Sequence, residues 1–112
     1  MQILQGDIFL ADLNPVKGHE QAGLRPVVIM QNNILNPRLN TVVTIPLTTN
    51  MKIKGLMTTY FLEAKTAGIN KDSIALLHHI RTVDKSRLIK KIGHVPPHNF
   101  MELRIRTTRI FW

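Results

Sequence analysis

The stretch Gly18-His19-Glu20-Gln21-Ala22-Gly23-Leu24-Arg25-Pro26 connects two apolar runs early in the chain. Its polar and charged side chains lie close together, and Gly18 and Gly23 give the backbone the freedom that a connection between strands needs. At about ten residues with its flanks, this connection is longer than an ordinary hairpin turn, so it is a candidate functional loop.

The runs on either side of this loop have the character of β-strands. Residues 3–13 are apolar and β-prone, and Asn14-Pro15 is a turn signal that ends them. Residues 26–30 form a continuous apolar run, which predicts a buried strand. The sequence thus predicts two strands joined by the polar loop.

A third strand is predicted over residues 41–48. Alternation places Val43, Ile45 and Leu47 on one face, and Thr44, Pro46 and Thr48 on the other, so we expect the Thr48 side chain to leave the core. Pro46 has no backbone N–H to donate, which predicts that this strand lies at a sheet edge or is irregular there.

The later segments alternate between strand and turn signals. Residues 56–64 and 73–83 are predicted strands, the second interrupted by His78-His79, and Asp84 is a candidate cap of a short helical turn. The period of residues 98–112 fits either a strand or a helix, and the Pro96-Pro97 pair favours the helix. The expected fold is mainly β with a C-terminal helix.

Length and composition predict a single domain over residues 1–112. No cysteine is present, which removes disulfides, thiolate nucleophiles and cysteine-ligated zinc. Neither a signal segment nor an apolar run of membrane-spanning length is evident, so we expect a soluble cytoplasmic protein that does not contact membranes.

The charge balance points to a polyanionic partner. The formal net charge is +8 and the isoelectric point is about 10.5, and neutralising phosphates with release of counterions favours association at modest salt. RNA and an acidic protein segment both fit this requirement. The few aromatic side chains lack the spaced pair that a base-stacking platform uses.

Four groups of residues, taken together, resemble the MazF/PemK family of toxin endoribonucleases from type II toxin–antitoxin systems. They are the Gly6-to-Pro15 segment, the Gly18-to-Asn32 segment, Pro46-Leu47-Thr48-Thr49, and Asp72-Ser73 leading to Ile80-Arg81-Thr82-Val83-Asp84. The resemblance extends from about residue 6 to about residue 94. It implies an SH3-like small barrel of the CcdB/PemK type in a homodimer. It also implies metal-independent, sequence-selective cleavage of single-stranded RNA and inhibition by a cognate acidic antitoxin.

The same resemblance assigns roles to three residues. Arg25 matches the loop arginine of the family and would stabilise charge on the scissile phosphate, as a permanently cationic guanidinium can. Thr48 aligns with the catalytic Thr or Ser and would hydrogen-bond the phosphate or the 2′-oxygen. His19 corresponds to the histidine of PemK-like members, and we expect it to orient substrate or transfer a proton.

One departure from the PemK pattern concerns the strand before Ile80-Arg81-Thr82. PemK-like enzymes have an arginine and an aspartate where this chain has Leu76 and His78, so His78 is a candidate to bind RNA or to act as the base in place of the carboxylate. The remaining candidate RNA contacts are Lys17, Glu20, Gln21 and Lys52.

No catalytic metal or other cofactor is expected. His19-Glu20-Gln21-Ala22-Gly23 lacks the second histidine of the HExxH zinc pattern, and adjacent strand residues such as His78 and His79 point to opposite faces. Two other functions remain open at this stage. One is a CcdB-like toxin that inhibits gyrase, and the other is an RNA-binding module that does not cleave.

Overall fold

The structure is a computed structural model that describes residues 1–15, 18–19 and 23–111. The described residues form seven strands: β1 (Asp7–Asp12), β2 (Leu24–Ile29), β3 (Thr41–Thr48), β4 (Thr59–Leu62), β5 (Ser73–Leu76), β6 (Arg81–Asp84) and β7 (Leu88–His94). They also form two helices, α1 (Ala64–Ala67) and α2 (Pro97–Thr108), and four 3-10 turns, at Met51–Ile53, Leu77–His79, Lys85–Arg87 and Arg109–Phe111. The predicted fold class, mainly β with a C-terminal helix, is confirmed.

The strands form one antiparallel sheet in the order β4-β5-β3-β2-β1-β7, with β6 also paired to β3. β3 is central because it pairs with β2 along one side and with two strands in succession along the other. Thr44 lies opposite Arg81 of β6, whereas Leu47 lies opposite Ala75 of β5. The long strand thereby connects the two halves of the sheet.

Pro46 occupies the point where β3 changes partner. It lies opposite Val27 of β2, and no residue of β5 or β6 is registered against it among the described pairs. The missing N–H is therefore tolerated, as at other breaks in a ladder. The prediction of an edge strand was wrong, whereas the predicted irregularity at Pro46 is present.

Both faces of the sheet are buried. One cluster includes Ile8, Val28, Ile45 and Leu47 together with Phe100 and Leu103 of α2. A second cluster on the other face includes Phe9, Val27, Ile29, Val42 and Val83. This second core explains why Thr44 and Pro46 are buried, although simple alternation assigned them to the outer face. Only Thr48, at the end of that series, is half-exposed.

Several predicted element boundaries need correction. The strand expected over residues 73–83 is two strands, because the chain leaves β5 through the 3-10 turn at Leu77–His79 and then pairs with the other half of β3 in β6. The side chain of Leu77 is fully buried, and it anchors this turn between β5 and β6. The strand expected over residues 56–64 is limited to Thr59–Leu62 and is followed directly by α1.

The C-terminal segment is helical, as the proline pair indicated. Pro97 occupies the first turn of α2, where a missing N–H costs no intrahelical bond. Phe100, Leu103 and Thr107 form its buried face. No helix among the described residues is both long and apolar enough to span a membrane.

Candidate active site

The two ends of the long polar loop are held together by hydrogen bonds. The Leu13 N–H donates to the Gly23 carbonyl at 3.0 Å, and the Gly23 N–H donates to Asn14 Oδ1 at 3.0 Å. Gly23 adopts a positive φ of 77°, a conformation that glycine favours. Arg87 donates to the carbonyls of Asp12, at 3.1 Å, and Asn14. These hydrogen bonds fix the base of the loop, where its two ends meet.

Arg25 lies just past this base, in β2. It is half-buried and stands opposite Ala11 of β1. The described β2–β3 pairs end at Val27–Pro46, and Arg25 and Thr48 are the residues two positions beyond this pair in their strands. A step of two residues keeps a side chain on the same face of a strand, so both point to the face of Val27 and Pro46. The sheet therefore directs Arg25 and Thr48 to the same end and face of the β2–β3 pair.

A turn with two side-chain hydrogen bonds follows Thr48. Thr48 Oγ1 accepts a hydrogen bond from the Asn50 N–H at 3.2 Å, and Asn50 Oδ1 accepts one from the Lys52 N–H at 3.2 Å. The Thr48 hydroxyl keeps its own proton to donate, because it serves only as an acceptor in this turn. Lys52 is exposed, so this turn presents a hydroxyl and an ammonium group a few residues apart.

Of the candidate residues in the loop, the structure describes His19 alone. His19 is exposed and follows Gly18, whose φ of 59° is positive. Lys17, Glu20 and Gln21, predicted to contact RNA, lie outside the described residues. Their predicted roles stay predictions.

His78 lies in the 3-10 turn at Leu77–His79 that follows β5, outside the strands that carry Arg25 and Thr48. Thr48 is registered with Ile74 of β5, and His78 is four residues further along the chain. His78 is exposed and packs edge-on against His79, with ring centroids 4.3 Å apart. Its predicted role in binding RNA or accepting a proton stays a prediction.

Arg87 is a positioning residue that the sequence analysis did not single out. Its two carbonyl partners lie 75 and 73 residues away in the chain, so no local pattern could have identified it. With regard to metals, the described part of the chain contains no cluster of three His, Asp or Glu side chains suited to hold an ion.

Comparison with known proteins identifies the family of this chain. A family model described as PemK-like, MazF-like toxin of type II toxin-antitoxin system matches residues 4–111. Endoribonuclease EndoA from Bacillus subtilis (strain 168) is 42% identical over 95 residues, which cover 85% of this chain and 82% of that protein.

Solved structures extend the comparison to the fold. Mycobacterium tuberculosis toxin MazF-mt6 superimposes with a TM-score of 0.78 at 25% identity, covering 94% of this chain and 95% of that one. MazF from Deinococcus radiodurans gives a TM-score of 0.83 at 23% identity, covering 97% and 96% respectively, which is a likeness of fold. The gyrase-inhibitor alternative receives no support from these comparisons. The chain belongs to the family of PemK-like, MazF-like toxins of type II toxin–antitoxin systems.

Proposed function

We propose that this protein is a toxin that cleaves single-stranded RNA, mRNA included, at the strand ends where Arg25 and Thr48 converge. The observation that supports the proposal is the pairing of β2 with β3, which directs a guanidinium and a hydroxyl to the same end and face of the sheet, next to the polar loop. Family membership and the relative named as an endoribonuclease support the same activity.

The reaction needs no nucleophile from the protein. The 2′-hydroxyl of the RNA attacks the adjacent phosphorus, the 2′-O–P bond forms, and the bond from phosphorus to the 5′-oxygen breaks. The products are a 2′,3′-cyclic phosphate and a 5′-hydroxyl. The protein has to accept the 2′-proton, stabilise the phosphoryl oxygens and allow the leaving oxygen to be protonated.

Three residues act on the phosphate and the nucleophile in the proposal, and solvent water protonates the leaving 5′-oxygen. Arg25 stabilises the charge that grows on the phosphoryl oxygens, since a guanidinium is a strong bidentate donor but a poor acid. Thr48 donates a hydrogen bond from its hydroxyl to the same phosphate. His19 accepts the 2′-proton, because an imidazole on an exposed loop can reach a bound strand and exchange protons near neutral pH.

Recognition of the RNA sequence is assigned to the loop and the neighbouring turn. Glu20 and Gln21 carry groups that can pair with the edges of unstacked bases, and Lys17 and Lys52 supply phosphate contacts. His78 binds RNA at a distance from the cleaved bond in this scheme and does not act as the base. The role of each of these five residues is a proposal.

The proposed partners follow from the charge and the family. Solved relatives include MazE-MazF from Deinococcus radiodurans and an endoribonuclease in complex with its cognate antitoxin from Mycobacterial species. For this chain we propose an acidic antitoxin segment that covers the basic surface, since net charges of opposite sign attract. We further propose that the single domain acts as a homodimer in the cytoplasm, without a metal or other cofactor.

The test is cleavage of a long unstructured RNA in excess EDTA by three proteins purified in parallel. These are the wild type, Arg25→Ala, and the exposed control Arg38→Ala. We expect discrete cuts with 5′-hydroxyl ends from the wild type and the control, and a loss of roughly 10²-fold or more in Arg25→Ala. RNA that is bound but left intact by the wild type would support the non-cleaving module. If the wild type neither binds nor cuts RNA, the alternative of a gyrase-inhibiting toxin is the next to be assayed.

A further inference from the structure

A cavity of about 400 Å³ opens beside the candidate active site. Its lining includes Pro26 and Thr49, the chain neighbours of Arg25 and Thr48. Arg25 and Pro26 are consecutive residues of β2 and point to opposite faces of the sheet, so the cavity lies on the other face of the strand end that carries Arg25. A ligand that passes over these strand ends would meet both places.

The floor of this cavity is apolar. It consists of Leu10, Pro26, Ile69 and Ile92, which are all half-buried, and Leu10 and Pro26 form a cross-strand pair. A flat apolar floor suits the face of a nucleobase, which loses little on leaving water. The exposed side chains of Thr49 and Asn70, which also line the cavity, can hydrogen-bond the edge of such a base.

The charged groups around the cavity are cationic. Lys71 and Lys90 line it, both are exposed, and within the described residues neither has an ion-pair partner. The adjacent Lys91 is different, because it forms an ion pair with the buried Asp7 at 3.1 Å. Asp72, next to Lys71, is not part of the lining and accepts a hydrogen bond from the Ala64 N–H at 2.8 Å.

We propose that this cavity binds one nucleotide of the RNA substrate that flanks the cleaved bond, with the base on the apolar floor and its phosphates at Lys71 and Lys90. The inference rests on the proposed ribonuclease function and adds a binding subsite to it. The volume lies within the range of about 300–1,000 Å³ that small-ligand sites occupy. RNA is favoured over an acidic peptide because the cavity lies at the same strand ends as the proposed cleavage site, so one RNA strand that passes around those ends can reach both.

The first measurement compares RNA affinities of variants that change charge equally. Lys71→Met and Lys90→Met alter the cavity, whereas Lys65→Met removes an exposed lysine of α1 that does not line it. Binding is followed by fluorescence anisotropy on an oligonucleotide with a 2′-deoxy sugar at the cut, which lacks the nucleophile. We expect each cavity variant to bind roughly 3- to 10-fold more weakly, with a salt slope reduced by about 0.7. The control should change affinity less than twofold.

The second measurement locates the nucleotide. Single abasic sugars and single uncharged methylphosphonates are placed at successive positions on both sides of the cut. In the wild type, an abasic sugar and a methylphosphonate should each lower the RNA affinity at one position. The loss of affinity caused by the methylphosphonate should disappear in Lys71→Met or Lys90→Met. Loss at no particular position, or equal affinities for all three lysine variants, would overturn the proposal. So would lysine variants that bind RNA normally but lose affinity for an acidic peptide.

Cleavage of the all-ribose oligonucleotide by the wild type separates this inference from the proposed function. If the wild type cleaves RNA and the cavity lysines have no effect on affinity, the subsite proposal is wrong and the ribonuclease proposal stands. Failure of the wild type to cut removes the ribonuclease function, whatever the lysine variants do. Melting temperatures of all variants serve as the check on folding.

Discussion

The carboxylate of Asp7 lies 2.9 Å from Nδ1 of His94, although 87 residues separate the two in the chain. Asp7 is 1% exposed, and its other oxygen accepts a hydrogen bond from the Leu4 N–H at 3.0 Å. Lys91 also reaches the carboxylate, at 3.1 Å. This group therefore connects the start of β1 to the end of β7 through a buried acceptor.

Replacing Asp7 with asparagine should destabilise the protein. The variant keeps the shape of the side chain but loses the charge that His94 and Lys91 contact, and a buried polar network that is partly unsatisfied costs about 1–3 kcal/mol. Urea unfolding followed by circular dichroism gives the free energy of unfolding. Glu102→Gln is the matched control, since its pair with His98, at 2.8 Å, lies on the surface and should change stability by less than about 0.5 kcal/mol. Equal effects of the two changes would show that burial of Asp7 is unimportant.

Gly93 marks a close approach of β7 to the end of α1. A Cβ added there would lie 2.5 Å from the carbonyl oxygen of Ala67 and 2.8 Å from Ile69 Cγ2. The first contact is with backbone, so relief requires α1 or β7 to move. We expect Gly93→Ala to lower the free energy of unfolding by about 1–3 kcal/mol. Ile89→Ala, at a half-exposed position of the same strand, should have a much smaller effect in the same urea titration.

Asp84 predicts a pH dependence of stability. Hydrogen bonds from the side chain and then the backbone N–H of Ser86 lower the pKa of the Asp84 carboxyl below its ordinary value. A lowered pKa in the folded state means that ionisation favours folding. The stabilisation is present above the ordinary carboxyl pKa and is lost as pH falls through the lower, folded value.

The variant Asp84→Asn isolates this effect, since an amide keeps the capping oxygen but cannot ionise. The wild type should be more stable than Asp84→Asn at neutral pH. The gap should close as the pH falls below about 4. A gap that stays constant down to acid pH would show that the charge of Asp84 makes no contribution.

The sequence was sufficient to predict features that depend on local pattern. The polar loop, the strands around it and the helix after Pro96-Pro97 are each encoded by neighbouring residues, so they could be predicted without knowledge of the rest. The cap at Asp84 is of the same kind, with Asp84 Oδ1 accepting the Ser86 N–H at 2.8 Å.

Alternation failed where a strand has two buried faces or two partners. In β3, Thr44 is fully buried because the second core covers the face assigned to solvent, and its hydroxyl donates to the Arg81 carbonyl of the neighbouring β6 at 3.2 Å. The strand expected over residues 73–83 continued in the sequence pattern, but the chain turns at Leu77–His79 to change partners along β3. Both differences result from pairing between strands that are distant in the sequence. A pattern read over neighbouring residues contains no information about such pairing.

The candidate site could likewise be predicted from the sequence only in part. Arg25 and Thr48 could be proposed from the resemblance, but only the pairing of β2 with β3 directs them to the same end and face of the sheet. Lys71 and Lys90 carry no local signal, since their shared cavity joins segments from five parts of the chain.

The hydroxyl of Thr48 can be tested separately from its methyl group. Thr48→Val keeps the shape but cannot donate to a phosphate, so kcat should fall roughly 10²- to 10³-fold. The N–H of exposed Asn50 loses its acceptor and turns to water, so the melting temperature should change little. Thr48→Ser restores the hydroxyl and should keep most of the activity. If Thr48→Val is as active as Thr48→Ser, the Thr48 hydroxyl has no role in cleavage.

The two histidines can be distinguished by the pH dependence of cleavage. A proton acceptor works only when its imidazole is neutral, so wild-type kcat should rise with pH through the range where imidazoles ordinarily titrate. If His19 is the acceptor, His19→Gln lowers kcat and flattens this rise. His78 is proposed to bind RNA away from the cleaved bond, so His78→Gln should raise KM and leave the shape of the profile unchanged. The reverse result would assign proton transfer to His78 instead of His19.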